Sequence, residues 1–192
     1  MTQELEPMQD IFLLEPQTKV DRKKSYIRSY PHILGQLQTG AALTERDFVC
    51  GAHIVYGWMP TILDLYPTAE LTLQQGADLL NKARTKGVLS ESEMANLAAL
   101  VNNSVVGASK LLHFVNPDAF AIWDSKIYRF IHGQAAHQYR VNNAGAYLKY
   151  LDLLNELRED KRFPDFHSSI NEKMGYPVSP RRAIEVVMFL NA

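Results

Sequence analysis

The chain has too few cysteines for two common classes of small protein. Cys50 is the single cysteine among 192 residues, so no internal disulfide can form, and no Cys/His spacing of the zinc-site type is present. Cys50 lies in the apolar run FVCGAHIVYGWM. This favours a packed small side chain over a nucleophile, because a reactive thiolate needs electropositive surroundings. A disulfide-stapled domain and a zinc module are excluded, and we predict neither a metal site nor a cofactor.

The chain also lacks a long apolar run. No segment approaches the roughly 20 consecutive apolar residues that span a bilayer. The N-terminal stretch MTQELEPMQD is acidic and has neither the basic start nor the apolar centre of a signal peptide. We therefore expect a cytoplasmic protein without a membrane partner.

Neither charge sign is in excess. The net charge of −1 excludes a polycation that holds nucleic acid by bulk electrostatics, although a local basic face remains possible. The segment VDRKKSYIRSYPH mixes basic and aromatic side chains, which suits phosphate contact and base stacking and equally suits a solvated helix face. The side chains concerned are Arg22, Lys23, Lys24, Tyr26, Arg28 and Tyr30.

The pattern that is present is helical throughout. Apolar residues recur at helical spacing, while alternation of the β type and repeats of fixed period are missing. Capping residues and helix-ending glycine or proline residues delimit the periodic segments. The sequence predicts an all-α fold, with an N-terminal arm over residues 1–24 and a single helical domain over 25–192. The predicted helices begin near Thr44, Thr72, Ser90, Gly107, Asp124, Ala144 and Ser179.

Two segments, SVVGASK and AIWDSKIYR, stand in the order helix, glycine turn, helix, loop, aspartate, helix. This order resembles the helix–hairpin–helix DNA glycosylase superfamily, whose hairpin reads like LPGVG and whose next segment reads apolar–apolar–Asp–Thr–His–apolar–x–Arg. Asp124 follows an apolar pair, Ser125 replaces the threonine, and Arg129 falls five residues after the aspartate. The resemblance implies a compact helical domain with two helical lobes around a cleft, and places the hairpin and catalytic segment at about residues 90–132.

The hairpin departs from the family pattern at two places. Only Gly107 of the usual glycine pair is kept. Bifunctional members carry a lysine two residues after the second glycine; here Ser109 has that place and Lys110 comes one later. The resemblance therefore implies a monofunctional enzyme, with Lys110 as a candidate Schiff-base nucleophile if the register shifts.

The resemblance also implies a set of site residues. Asp124 is the catalytic candidate, because an ionised carboxylate at a helix N-terminus can stabilise the cationic sugar that forms as a base departs; its alternative role is a simple N-cap. A base must leave the stack to reach such a pocket, which we expect between aromatic walls. The C-terminal helix should pack near the N-terminal part, with Arg181, Arg182 and Glu185 at the surface or the pocket rim. Predicted DNA contacts are Ser104, Gly107, Ser109, Lys110 and Arg129; predicted base-pocket residues are His53, Tyr56, Trp58 and Trp123.

The sequence thus favours a monomeric DNA glycosylase that acts on double-stranded DNA with a flipped base. It would leave an abasic site, in base excision repair or in antiviral defence against phage DNA with modified bases. Two alternatives stay open. The first is a hairpin module that holds DNA without chemistry, and the second is an all-α protein-interaction domain whose aromatic cluster is core.

Overall fold

The structure, a computed structural model, describes residues 8–38 and 40–192. The predicted all-α class is confirmed: regular structure in the described ranges is helical, apart from one isolated bridge between Leu65 and Val101. No helix in these ranges is long and apolar enough to cross a membrane. The helices are α1 (Ile11–Leu14), α2 (Ser25–Leu37), α3 (Glu45–Trp58), α4 (Leu73–Lys86), α5 (Glu91–Leu100), α6 (Val105–Val115), α7 (Ser125–His132), α8 (Gln138–Val141), α9 (Ala144–Arg158), α10 (Phe163–Met174) and α11 (Pro180–Leu190).

Helices with strong terminal signals begin and end where the sequence predicts. The side chains of Thr44, Thr72 and Ser90 form capping boxes at the starts of α3, α4 and α5, which satisfies backbone N–H groups that have no partner inside the helix. Gly87 and Gly133 end α4 and α7 in the left-handed conformation, with φ of 66° and 58°. This conformation is less costly for glycine than for other residues, because glycine has no Cβ atom.

Four helices in the described ranges were not predicted: the one-turn helices α1 and α8, and the longer helices α2 and α10, whose starts carry no side-chain cap. Lys24 and Arg162 occupy the N-cap positions, and neither side chain caps its helix. Pro31 lies inside α2, where a proline normally indicates a helix end. Burial decides in favour of the helix, because Ile27 and Tyr30 both point into the core.

The core is centred on α6, which packs against α2, α3, α4 and α5. Its side chains Leu111, Leu112 and Phe114 are fully buried. The second central helix is α11, which packs against α1, α7, α9 and α10. Cys50 is exposed rather than packed, because it lies off the buried stripe of α3 that contains Phe48 and Val55.

The first seven residues of the predicted N-terminal arm lie outside the described residues. The remainder of the arm is docked on the domain. Ile11 is fully buried, and Glu15 forms an ion pair with Lys173 and accepts a hydrogen bond from Ser169 at 2.6 Å. Arg162 and Asp10 form a second ion pair at 2.9 Å. Residues 8–24 therefore contribute to the packed structure.

Candidate functional site

A tight hairpin connects α5 to α6. Asn102 and Asn103 both have positive φ, 54° and 47°, in the left-handed region that asparagine tolerates better than most residues. The Asn142 side chain fixes the turn: its oxygen accepts from the Val105 N–H at 2.6 Å and its amide donates to the Asn103 carbonyl at 2.7 Å. Ser104 caps α6 by accepting from the Gly107 N–H at 3.1 Å. The turn is thus rigid although it lacks the glycine pair of the family pattern.

Gly107 and Ser109 face the core rather than the outer surface of the hairpin. Gly107 is buried beneath Tyr56, whose hydroxyl donates to the Val101 carbonyl at 3.1 Å. Ser109 is fully buried, and its hydroxyl accepts from the Trp123 N–H at 3.1 Å. In this conformation neither Gly107 nor Ser109 is open to a phosphate, so their predicted DNA contacts do not fit their burial.

Asp124 caps α7 and also lines a cavity. Its Oδ1 accepts from the backbone N–H groups of Lys126 and Ile127 at 2.9 and 3.0 Å. No donor in the described part of the chain contacts Oδ2. The half-buried side chain of Asp124 borders the cavity, so capping by one oxygen leaves the other for a ligand.

Lys110 lies on α6 beside the same cavity. Within residues 8–38 and 40–192 its amine has no hydrogen-bond or ion-pair partner. Burial lowers the pKa of the Lys110 ammonium, although the negative charges of Asp124 and Glu185 act in the opposite direction. An amine with a lowered pKa is more often neutral, and neutral amines are the nucleophilic form.

The cavity has a volume of about 230 Å³, below the roughly 300–1,000 Å³ of pockets for drug-sized ligands. Trp58 forms part of its wall, as predicted, and is held by a hydrogen bond from Nε1 to the Tyr26 carbonyl at 3.1 Å. Tyr26 stands edge-on to both Trp58 and Phe189. These aromatic walls and the modest size suit one small planar group. The full lining is Tyr26, Ile27, Trp58, Met59, Lys110, Ile122, Asp124, Arg182, Glu185, Val186, Phe189 and Leu190.

An open groove beside the hairpin borders this cavity. The groove begins at Asn102, Asn103 and Ser104, and Lys110 and Asp124 line both the groove and the cavity. The two side chains therefore stand at the junction, with the hairpin on one side and the aromatic walls on the other. A chain-like ligand in the groove would bring one of its units to the junction.

Several predicted residues lie away from the junction. Trp123 is fully buried and donates from Nε1 to the Val141 carbonyl at 2.8 Å. Tyr56 is a core residue, and neither Trp123 nor Tyr56 lines the cavity. His53 is exposed and uses Nδ1 with the Val49 carbonyl. Arg129 is exposed beside a separate hollow. Of the predicted base-pocket residues, only Trp58 lines the cavity that Asp124 borders.

The C-terminal helix α11 contributes two buried charged side chains to the cavity lining. Arg182 and Glu185 are 3% and 1% exposed, line the cavity, and form a buried ion pair. Arg181 is buried elsewhere and donates to the Leu151 carbonyl at 3.1 Å. The surface position expected as one alternative is wrong for all three residues; Arg182 and Glu185 line the cavity, as the other alternative had it, and Arg181 does not. Arg182 and Glu185 are spaced i, i+3 on an otherwise apolar helix. This spacing was the one sequence signal that the two side chains face the same interior space.

Charge inside the cavity is unevenly compensated. Burial raises the pKa of Glu185 to about 7; Arg182 and Lys110 oppose that rise, and Asp124 adds to it. Burial is the largest influence on Arg182 and opposes its charge, but Glu185, Tyr30 and Tyr176 together outweigh burial, so the pKa of the guanidinium is raised. Glu185 is therefore a buried acid that can gain or lose a proton near neutral pH. Asp124, which borders the same cavity, is only half-buried.

The described residues contain no group of three or more His, Cys, Asp or Glu side chains placed to hold a metal ion. Comparisons with protein-family models, curated protein sequences and solved structures give no significant match to this chain. The cavity and the groove are therefore the features that bear on function.

Proposed function

We propose that the protein is a DNA glycosylase that hydrolyses the N-glycosidic bond of a flipped base and leaves an abasic site. The observation that carries the proposal is the position of Lys110 and Asp124 at the junction of the hairpin groove and the aromatic cavity. A nucleotide that leaves the stack must put its sugar between the duplex and the base pocket. The junction is the place where such a sugar would lie.

Asp124 supplies the electrostatic part of the chemistry. Positive charge develops on C1′ and the ring oxygen as the base departs, and a carboxylate beside them lowers the energy of that state. The backbone N–H groups at the start of α7 hold Oδ1. The carboxylate is therefore already oriented when Oδ2 meets the sugar. A water molecule then adds to C1′ and loses its proton, which completes hydrolysis.

Lys110 offers a second route to the same bond. Its neutral amine can attack C1′ in place of water, and the resulting Schiff base leads to strand cleavage. The unpartnered amine and its lowered pKa support this role. Lys110 stands one residue beyond the lysine position of bifunctional helix–hairpin–helix glycosylases, which supports the water route. The water route leaves an abasic site and the amine route leads to strand cleavage, so the reaction products distinguish the two routes.

The hairpin supports the placement of DNA in the groove. The groove is lined by the polar residues Asn102, Asn103 and Ser104. The N-terminus of α6 lies at the same place, because Ser104 is its N-cap. The helix dipole at such an end favours a phosphate, even on a protein without net positive charge. The Val105 and Gly107 N–H groups are already bonded to Asn142 and Ser104, so the dipole and the polar side chains carry this attraction. The exposed Lys23, Lys24 and Arg28 precede or lie on α2, which carries Tyr26 of the cavity wall.

The main alternative is a DNA-binding module without chemistry, and the capping of α7 by Asp124 favours it. A residue that accepts two backbone N–H groups has a structural reason to be present. The alternative leaves unexplained why a cap should border an aromatic cavity together with an unpartnered lysine. A protein-interaction domain is the third candidate. It predicts no DNA retention even at low salt, whereas phosphate-mediated binding should appear there and weaken steeply as salt rises.

The decisive experiment uses Asp124→Asn on duplexes carrying damaged bases and on DNA from several phages with modified bases. Asparagine is as good an N-cap as aspartate, so the fold should persist while base release, assayed as alkali-dependent strand breaks, is lost. Asp10→Asn is the matched control, because Asp10 caps α1 and does not line the cavity. Equal base release by Asp124→Asn and wild type would exclude the proposed mechanism.

Strand breaks that appear without alkali would assign the nucleophile to Lys110. Borohydride should then trap a covalent protein–DNA adduct with the wild type and not with Lys110→Gln. Breaks that require alkali, with no trapped adduct, assign the nucleophile to water.

A further inference from the structure

Resting on the proposed function, we infer that Glu185 is the general acid that protonates the departing base in the cavity. Asp124 and Glu185 would then divide the reaction, with the first carboxyl serving the sugar and the second serving the base. Glu185 belongs to neither segment of the hairpin resemblance, and its place in the cavity assigns it this role.

The depth of Glu185 puts it where a base would lie. It is 1% exposed, lies on α11 and lines the cavity together with the aromatic walls Tyr26, Trp58 and Phe189. Asp124 borders the same cavity but is half-buried and also faces the groove. A nucleotide that enters from the groove therefore meets Asp124 with its sugar and Glu185 with its base.

The carboxyl of Glu185 has one oxygen in use. Oε2 accepts from the guanidinium of Arg182, while no donor in the described part of the chain reaches Oε1. A carboxylic acid can carry its proton on Oε1 and still accept from Arg182 through Oε2. The pair thus holds the side chain in place without occupying the oxygen that would face the base.

Two other polar groups near Glu185 have no partner in the described structure. The Tyr150 hydroxyl and Arg182 Nε are buried and make no hydrogen bond there, and the charge of Glu185 acts on both Tyr150 and Arg182. Buried polar groups without partners are rare and call for a reason, such as a catalytic role or a site for water. Arg182 lines the cavity and Tyr150 does not, so the unpartnered Nε of Arg182 marks the deep end of the cavity as a polar receptor for a ligand.

The charged and titratable groups around Glu185 explain why it can hold a proton near neutral pH. Burial comes first, and Asp124 adds repulsion; Arg182 and Lys110 oppose both and do not prevail, so the pKa is raised to about 7. An acid whose pKa lies near the working pH is the most effective proton donor. The groups that face Glu185 are Tyr26 and Tyr30 on α2, Lys110 on α6, Asp124 before α7, Tyr150 on α9, and Arg182 on α11 itself.

The proposed step balances without a further reactant. The bond between C1′ and the base nitrogen breaks, and its electron pair stays on the base. The proton of Glu185 moves to a ring nitrogen or carbonyl oxygen of the base, which departs neutral. Water adds to C1′ and releases a proton to solvent, and a proton from solvent restores Glu185. The substrate class is a neutral base that needs protonation to leave.

The first test compares Glu185→Gln and Glu185→Asp with the wild type on the duplex found to release base. Glutamine can donate a hydrogen bond but cannot lose the proton, so we expect kcat to fall by about 100-fold or more with little change in DNA affinity. Aspartate keeps an acid, so Glu185→Asp should retain part of the rate and a fall of kcat at alkaline pH. Glu156→Gln, an exposed change on α9, is the matched control.

The pH profile separates a proton donor from a merely structural residue. The wild-type kcat should decline as pH rises above about 7, because the acid form of Glu185 is lost. Glu185→Gln should have no such decline. A Glu185→Gln enzyme that keeps the wild-type rate and the wild-type decline would overturn the inference.

A direct titration keeps the inference testable if Glu185→Gln fails to fold. The Glu185 carboxyl, labelled with ¹³C and assigned by its loss in Glu185→Asp, should titrate near neutral pH in the wild-type protein. Titration in the ordinary range of a glutamate would overturn the inference. If the wild type releases no base from any DNA, the proposed function fails first; if it releases base and only the Glu185 results disagree, the inference alone fails.

Discussion

A Cβ atom built on Gly107 would lie 2.6 Å from Cζ of Tyr56 and would overlap the tyrosine hydroxyl. Gly107 is the one hairpin glycine that the sequence shares with the glycosylase pattern, and its neighbour in space is a buried aromatic ring. The absence of a side chain at Gly107 therefore lets α3 approach the start of α6, which positions the hairpin beside the cavity.

The close approach predicts that Gly107→Ala destabilises the fold. Tyr56 is buried and cannot swing into solvent, so α3 and α6 must separate, at a cost of about 1–3 kcal/mol for overpacking. Chemical denaturation would measure the change in the free energy of unfolding. Gly35→Ala is the control, because Gly35 lies in α2 with open space around it; there alanine should stabilise by about 0.5–1 kcal/mol. A harmless Gly107→Ala would contradict the close contact.

His113 and Tyr30 form a buried pair whose disruption should be costly. His113 is fully buried; its Nδ1 bonds the Phe120 carbonyl at 2.8 Å and must donate, so Nε2 accepts from the Tyr30 hydroxyl at 2.8 Å. Tyr30→Phe leaves that nitrogen without a donor, which should lower the free energy of unfolding by about 1–3 kcal/mol. Tyr66→Phe, at a tyrosine that is 47% exposed, should have little effect. Equal losses in the two variants would refute the pairing.

The same histidine predicts a loss of stability in acid. Burial lowers the pKa of His113 to about 3, so below its unfolded pKa of about 6.5 the unfolded chain binds a proton that the folded chain refuses. Stability should therefore fall as pH drops from about 6.5 towards 3, by up to about 1.4 kcal/mol per pH unit. His113→Gln cannot take up this proton, and its stability should be less dependent on pH in that window. Parallel curves for the two proteins would exclude His113 as the cause.

Ser109 provides a test of which hairpin residues contact DNA. Its hydroxyl donates to the Val106 carbonyl at 2.8 Å and accepts from the Trp123 N–H at 3.1 Å. Ser109→Ala should lower the free energy of unfolding by about 1–3 kcal/mol, because it leaves a buried N–H unpaired. DNA retention at low salt should not change. Ser104→Ala, at the partly exposed cap in the groove, should weaken retention; the reverse pattern would restore Ser109 as a DNA contact.

The sequence carried enough local information to predict the helices with strong ends. Three capping residues, Thr44, Thr72 and Ser90, indicate helix starts, because each accepts a hydrogen bond from a backbone N–H group in the first turn of its helix. Asp124 belongs to the same class, and its position before α7 was predicted for this reason. The starts of α2 and α10 lacked such a residue, and their existence depends on burial against distant elements.

The sequence could also single out Asp124, Lys110 and Trp58, since each stands out within its own segment. It could not tell that Trp123 and Tyr56 serve the core while Tyr26 and Phe189 form the cavity wall. An aromatic residue on an apolar stripe has the same local pattern in both cases. Which of them meets a void depends on how helices far apart in the chain cross.

Local sequence by itself determined the helical class, the capped helix starts and a carboxylate before α7, because caps and helical periodicity act over a few residues. Only the tertiary structure decided that α6, α7 and α11 bring Lys110, Asp124 and Glu185 to one cavity. The physical reason is that burial and the field of neighbouring charges set the chemistry of these groups. Both arise from contacts between residues that are distant along the chain.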